Sequence, residues 1–290
     1  MDIILQMGVS GAMMGFVYAL IAYGFQLTFS TSRSINFGQG ELVMLTALIS
    51  LTLLNLGVPY WLMVPLGLAA GVLLGLAVER VAVRLALEQQ SEGWILMTII
   101  VGLFCFSAAE NIWGRDDHPF PTPISEEPLH FFGINVTPVE LSVAVGVLLL
   151  MALIELFKRK TLWGKAFAAV SADRDAAELM GISARRTIML SYGLSGLVAA
   201  MAGILVSPIT TAGPTMASAL ILKAFSVAVV AGLDSGVGVV LVGVILGALE
   251  SLTSFYIGSG WREAPGLTLL ILALALRPSG IFGKVGIRKV

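Results

Sequence analysis

Charge is what this sequence has least of. Asp, Glu, Lys and Arg together make up 12% of its 290 residues, about half the share of an ordinary soluble domain. With a mean hydropathy of +0.94, a water-soluble globular protein is excluded. The single cysteine, Cys105, sits inside an apolar run, so no intrachain disulfide can form. No Gly-x-x-x-x-Gly-Lys-Ser/Thr occurs: the lysines that follow glycine, Lys165 and Lys284, are followed by Ala and Val. The chain therefore does not bind ATP through a P-loop. Neither Gly38-Gln39-Gly40 nor Gly236-Val237-Gly238 follows a soluble strand, which removes a dinucleotide reading. Short segments of alternating polarity, the mark of a membrane barrel, are missing. The basic residues are confined to loops and the net charge is -1, so nothing suggests nucleic acid. No cofactor is expected. Asp116-Asp117-His118, with His130 beyond, superficially resembles part of a metal site, but the segment is rich in proline and reads as a solvated loop.

What the sequence does have is long apolar runs, several reaching the roughly 20 residues that cross a bilayer as a helix. The fold class is all-α: a polytopic helical membrane protein of about eight to ten transmembrane segments, some broken or re-entrant, forming a single permease domain over residues 1–290. Spans are expected at about 3–29, 42–56, 59–83, 94–113, 138–157, 187–206, 217–232, 237–257 and 264–276. The start Met-Asp-Ile-Ile-Leu lacks a basic n-region and an Ala-x-Ala site, so the first run reads as a retained span. Glycine, at 32 residues, suits helices that approach closely through small side chains.

The longest polar segment with helix-forming character, residues 158–186, carries seven basic residues (Lys158, Arg159, Lys160, Lys165, Arg174, Arg185 and Arg186). The positive-inside rule places it in the cytoplasm. Within it, 166–180 reads as one short helix of alanines with Asp173, Asp175 and Glu178, ended by Gly181. Alternation then puts Arg80, Arg84 and the basic tail through Lys284, Arg288 and Lys289 inside. Residues 114–137, with four prolines and one Arg, fall outside, as does the N-terminus. A helix held between two spans on the cytoplasmic side is well placed to be pushed by a soluble partner.

Ionisable groups within apolar runs point to a polar pathway. Glu41 lies close to Asn36 and Gln39, and Glu250 stands alone in its run, with Lys223 as a countercharge or a residue that reaches to the interface. The polar stretch 33–41 in the first half and the break at 231–238 in the second form a pair of interrupted segments, a pattern associated with transport pathways. Ordinary helix ends meeting in loops would give the same breaks. An intramembrane acid protease would need two aspartates near enough to share a proton, and both carboxylates here are glutamates.

Ser32-Arg33-Ser34-Ile35-Asn36-Phe37-Gly38-Gln39-Gly40-Glu41-Leu42 resembles the Asn-Phe-Ala-His-Gly-Glu stretch of the LivH-type permeases of branched-chain amino acid ABC importers. Gly164, Asp173, Ala176, Ala177 and Gly181-Ile182 resemble that family's cytoplasmic coupling motif. Lys223-Ala224-Phe225, Glu250, Trp261-Arg262 and Arg277-Pro278-Ser279-Gly280 extend the resemblance to the C-terminus. The family's Ala-His is Gly38-Gln39 here, Ala168 stands where an arginine is usual, and Asp234 falls in a turn that is normally uncharged.

The resemblance implies a multi-pass permease of the bacterial inner membrane. It would pair with a paralogous permease, rest on two cytoplasmic ATP-binding subunits and receive a small organic solute from a periplasmic binding protein. A branched-chain or related amino acid is the expected solute; urea, short amides and aromatic acids are the family's other cargoes. Asn36, Phe37, Gln39, Glu41, Lys223 and Glu250 would line the pathway. Gly164, Lys165, Asp173, Arg174, Ala176, Ala177, Gly181 and Ile182 would couple it to the ATPase. The alternative from another class is a self-contained channel or ion-coupled transporter using Glu41 and Glu250.

Overall fold

The computed structural model describes residues 2–88, 92–125, 127–131, 134–277 and 280–283. Glu126, Pro278-Ser279 and the basic tail through Lys284, Arg288 and Lys289 lie outside the described residues. In chain order the helices are α1 (Asp2–Ser32), α2 (Gln39–Asn55), α3 (Tyr60–Val78), α4 (Arg84–Glu88), α5 (Trp94–Trp113), α6 (Pro138–Lys160), α7 (Leu162–Ala172), α8 (Arg174–Leu179), α9 (Ala184–Thr210), α10 (Met216–Ala231), α11 (Gly236–Tyr256) and α12 (Ala264–Leu276). Among the described residues, six helical stretches are long and apolar enough to span a membrane: α1, α3 with α4, α5, α6, α9 and α11. The apolar helices α2, α10 and α12 are shorter. This is the all-α polytopic membrane architecture expected from the hydropathy, with its interrupted segments.

Small residues set how the helices meet, because packing rather than apolar transfer drives association within a membrane. The α1–α11 seam runs antiparallel, with Gly11 against Gly247 and Gly15 against Gly243; a methyl on Gly247 would overlap the Gly11 carbonyl. The α3–α9 seam is built in the same way from Gly71 and Gly75 against Gly196. α9 is the most enclosed of the long helices and α5 the least.

Four local features are not legible in the sequence, and the first of them overturns a reading made from it. First, 166–180 is not one helix. Asp173 is extended (φ -158°, ψ 114°) and its carboxylate caps α8 by accepting from the Ala176 amide at 3.0 Å, so α7 ends and α8 begins at this residue. Gly181, at φ +83°, ends the segment as expected.

Second, Arg84 is held in an ion pair with Glu79. Glu79–Val83 forms a π turn, and Arg84 donates from Nε and a terminal nitrogen to the Glu79 carboxylate at 3.3 and 3.0 Å. The wider turn brings residues five apart together, a spacing an ordinary helical turn does not pair.

Third, the loop after α5 carries a short antiparallel hairpin, β1 (Leu129–Phe131) with β2 (Ile134–Val136). Gln6 holds it to α1 by donating to the Asn135 carbonyl and accepting from its amide, both at 2.6 Å.

Fourth, the break between α10 and α11 is covered by the end of the described chain. The Ile281 and Phe282 amides donate to the Val230 and Ala231 carbonyls at 2.8 and 3.1 Å.

Candidate functional site

The re-entry between α1 and α2 begins at Arg33, which ends α1 in a left-handed conformation (φ 56°). The chain then turns back into the bundle, and the polar residues it carries are satisfied by α9 and α1. Asn36 Nδ2 donates to Gln39 Oε1 at 3.3 Å, and Gln39 Nε2 donates to the Ser195 carbonyl at 3.2 Å. The Ser195 hydroxyl lies 3.0 Å from both the Gly24 carbonyl and Gln39 Oε1. Asn36 and Gln39 are fully buried, so these bonds satisfy polar groups that the surrounding helices shield from solvent. Phe37 stacks beside Trp94 and touches Phe225, which in turn meets Phe25 edge-on.

Glu41 faces away from that network. Its carboxyl group lies against Gly102 of α5, and Oε2 is buried without a hydrogen-bond partner.

Gln39 thus ties α2 to α9 across 156 residues of sequence. Gln39→Leu removes its side of the network and leaves the Ser195 hydroxyl and Asn36 amide underused. The expected loss is about 1–3 kcal/mol of stability, read as a lower midpoint of thermal unfolding in detergent. An unchanged midpoint would mean that the network does not hold the two helices together.

A second polar group is centred on Glu250, whose side chain is 2% exposed. Its Oε2 accepts from the Tyr18 hydroxyl at 2.9 Å and from Lys223 Nζ at 3.0 Å. Arg262 Nε approaches the same oxygen to 3.9 Å. The Lys223 ammonium also sits over the Tyr18 ring, 5.5 Å from its centroid. Lys223 therefore turns inward to a partner rather than reaching to the interface. The chain brings Lys223 and Glu250 together, and Asn36 and Gln39 together; no hydrogen bond or ion pair among the described residues joins the two groups or adds Glu41 to either.

Tyr18, Ser195 and Glu79 were not singled out by the sequence reading. Their partners are too distant in sequence, or too unusually spaced, for periodicity to mark them.

The α7–α8 pair stands between α6 and α9. Thr161 caps α7 by accepting from the Gly164 amide at 3.1 Å. Gly164 is buried so close to the Lys158 carbonyl that any side chain would overlap it. Phe167, Val170, Ala177 and Ala184 are buried and Ile182 is half-buried, while Lys165, Arg174, Ala176 and Gly181 are exposed. Arg174 pairs loosely with Glu178 at 3.8 Å. The most exposed apolar side chains of this end are Leu162, Leu179 and Met180, at 81, 89 and 82%, with Trp163 half-exposed beside them. Among the described residues no three His, Cys, Asp or Glu side chains cluster as metal ligands. Asp117 instead accepts from the Thr215 hydroxyl at 3.0 Å, and the His118 backbone pairs with that of Ala212.

Residues 7–276 match the family described as "Branched-chain amino acid transport system / permease component". The high-affinity branched-chain amino acid transport system permease protein LivH of Escherichia coli (strain K12) is 28% identical over 300 residues, covering 99% of this chain and 97% of that protein. The corresponding BraD protein of Pseudomonas aeruginosa is 28% identical over 304 residues, covering 99% and 98%. Among solved structures, PsaBC from Streptococcus pneumoniae in complex with Fab aligns with a TM-score of 0.49 at 11% identity, over 95% of this chain and 92% of that one. With nine-tenths of its length inside the family match, the chain belongs to the branched-chain amino acid permease family and is a multi-pass permease component of an ABC transporter, not itself the ATPase.

Proposed function

We propose that the chain is the translocating subunit of an ATP-driven importer in a bacterial inner membrane. It carries a branched-chain or related amino acid handed over by a periplasmic binding protein. A paralogous permease completes the membrane pair, and two ATP-binding subunits sit beneath it. The observation that carries this reading is the α7–α8 pair. Gly164 and the Thr161 cap fix it to α6, Ser183 caps α9 directly after it, and it presents Leu162, Trp163, Leu179 and Met180 outward. Apolar side chains this exposed, in a segment that also exposes Lys165, Arg174, Arg185 and Arg186, are the composition of a protein-docking surface. With α7–α8 facing the cytoplasm, the α1 N-terminus and the β1–β2 hairpin face the periplasm. Closure of the ATPase pair would push α6 and α9 as rigid levers, a shear transition that exposes the pathway to one side and then the other.

Asn36, Phe37 and Gln39 are proposed to form the pathway's narrow waist, with Glu41 beside it and the Lys223–Glu250 pair on the periplasmic side. The pairing of Glu250 with Lys223 and Tyr18 suits a fixed structural charge better than a proton relay, which favours the ATP-driven reading over a self-contained ion-coupled one.

The test uses the docking surface. With Leu179→Asp and Met180→Asp combined, the ATPase recovered with the tagged permease should fall at least tenfold while insertion into the membrane is unchanged. Undiminished recovery would remove α8 from the interface. Asp173→Lys is a less clean probe, because Asp173 also caps α8 and its loss would unwind the helix.

A further inference from the structure

We propose that the cavity between α1, α6 and α11 holds the headgroup of an aminophospholipid, with its phosphate on Arg262, its ammonium on Glu140 and its acyl chains on the outer faces of the spans. This goes beyond the importer reading, since the lipid is a resident of the membrane and not a transported solute.

The cavity measures about 420 Å³, within the roughly 300–1,000 Å³ of small-molecule sites. Met7 and Met14 supply apolar wall, and Ser251 and Ser254 supply hydroxyls. It lies where α1 and α6 begin and α11 ends, the side proposed to face the periplasm. Tyr256 and Trp261, which follow α11's last lining residues and precede Arg262, are both exposed. Aromatic rings with a polar edge settle at the headgroup level of a bilayer, so the cavity opens at the depth where headgroups lie.

Three charged residues line it: Glu140, Glu250 and Arg262. Glu250 is closed to a ligand. Its Oε2 already accepts from Tyr18 and Lys223, and its Oε1 is sealed from solvent. Glu140 is open on one side. It completes the capping box of α6 through Oε2 alone, which accepts from the Thr137 amide and hydroxyl at 3.0 and 3.1 Å. Its Oε1 takes no hydrogen bond among the described residues and, unlike Oε1 of Glu250, is not sealed off. Arg262 approaches Glu250 through Nε at 3.9 Å, and its side chain is half exposed. A guanidinium offers a planar fork that matches two oxygens of a phosphate.

Charge balance selects the class of lipid. Glu140 and Glu250 are offset by Lys223 and Arg262, so the lining and its immediate partners are neutral as a set. A zwitterionic headgroup satisfies both ends, whereas an anionic one leaves Glu140 facing a like charge. The acyl chains have apolar tracks on either side. Leu141 follows Glu140 and Leu249 precedes Glu250, and both are exposed. Val145 and Leu149 continue the α6 face at helical spacing, and Ile245 and Leu241 continue the α11 face, all exposed. Burial of chain methylenes there adds to what the headgroup contributes.

The experiment titrates palmitoyl-oleoyl phosphatidylethanolamine into the delipidated, tagged permease with whatever co-purifies, in detergent, and reads bound lipid by native mass spectrometry. Phosphatidylglycerol and phosphatidylcholine with the same chains should each bind at least fivefold more weakly. The first lacks an ammonium, and the quaternary ammonium of the second has no N–H to give Glu140. Glycerophosphoethanolamine, the same headgroup without chains, should compete at least a hundredfold more weakly. Glu140→Gln keeps the capping box, which Gln also closes, and should reduce the preference for phosphatidylethanolamine over phosphatidylglycerol at least fivefold. Arg262→Gln, and Ser254→Phe, which fills the cavity, should each weaken phosphatidylethanolamine binding at least tenfold. Equal binding of the three lipids, or indifference to Glu140→Gln and Arg262→Gln alike, would overturn the site. Competition by the chain-free headgroup as strong as by the lipid would overturn the lipid and leave a site for a soluble zwitterion. The importer is read separately, from the ATPase recovered in the same preparation.

Discussion

Lys223→Leu is expected to lower the stability of the permease by about 3–5 kcal/mol, the cost of stranding a buried charge whose partner has been removed. Lys223 and Glu250 are 3.0 Å apart with side chains 11 and 2% exposed, so little water is at hand to replace the lost ammonium. Combining Lys223→Leu with Glu250→Leu should recover most of the loss, because an apolar pair of similar volume avoids the desolvation that the ion pair must offset. The measurement is a double-mutant cycle on thermal unfolding, in which a large coupling identifies a true pair. A single substitution that unfolds no earlier than wild type would show that Glu250 does not depend on Lys223.

Gly164→Val should uncouple the machine with little effect on the spans. The α6–α7 bend brings the Lys158 carbonyl directly onto Gly164, so no side chain fits without moving α7. The membrane helices do not pass through this bend, and insertion should proceed normally. ATP hydrolysis by the assembled complex should persist near its basal rate while uptake falls at least tenfold. Thr161→Ala, which removes only the cap on the same helix, should cost about 1 kcal/mol and reduce uptake far less. Wild-type uptake by Gly164→Val would mean that the position of α7 does not matter to transport.

The spans were legible because membrane helices are announced by length and hydropathy alone, and the ends of α5, α6 and α12 fall at or close to where the apolar runs end. The division of 166–180 was not, since alanines on both sides of Asp173 favour helix and only the extended backbone at that residue makes it a cap. The signal was there in part: an aspartate three residues before Ala176 has the spacing of an N-cap. The Glu79–Arg84 pair was hidden for a different reason. Five residues apart, the two face different sides of an ordinary helix, and only the π turn brings them into contact. At the candidate sites, the residue types were readable as expensive within a membrane, but their partners were not. Tyr18 and Glu250 are separated by 232 residues and Gln39 and Ser195 by 156, distances over which a single sequence carries no pairing information.

The α1–α11 seam bears on how the chain is made. Its glycines give α1 its closest partner at the far end of the polypeptide, with Tyr18 and Glu250 232 residues apart. At about 5–20 residues per second, a ribosome needs on the order of 10–50 s to deliver α11 after α1 has entered the bilayer. Through that interval the first helix has a glycine face and a buried-to-be tyrosine turned toward lipid, or toward whatever chaperones it at the translocon. Biogenesis of this permease is therefore timed by its last quarter, and truncations that end before α11 should leave α1 as an orphan for membrane proteolysis.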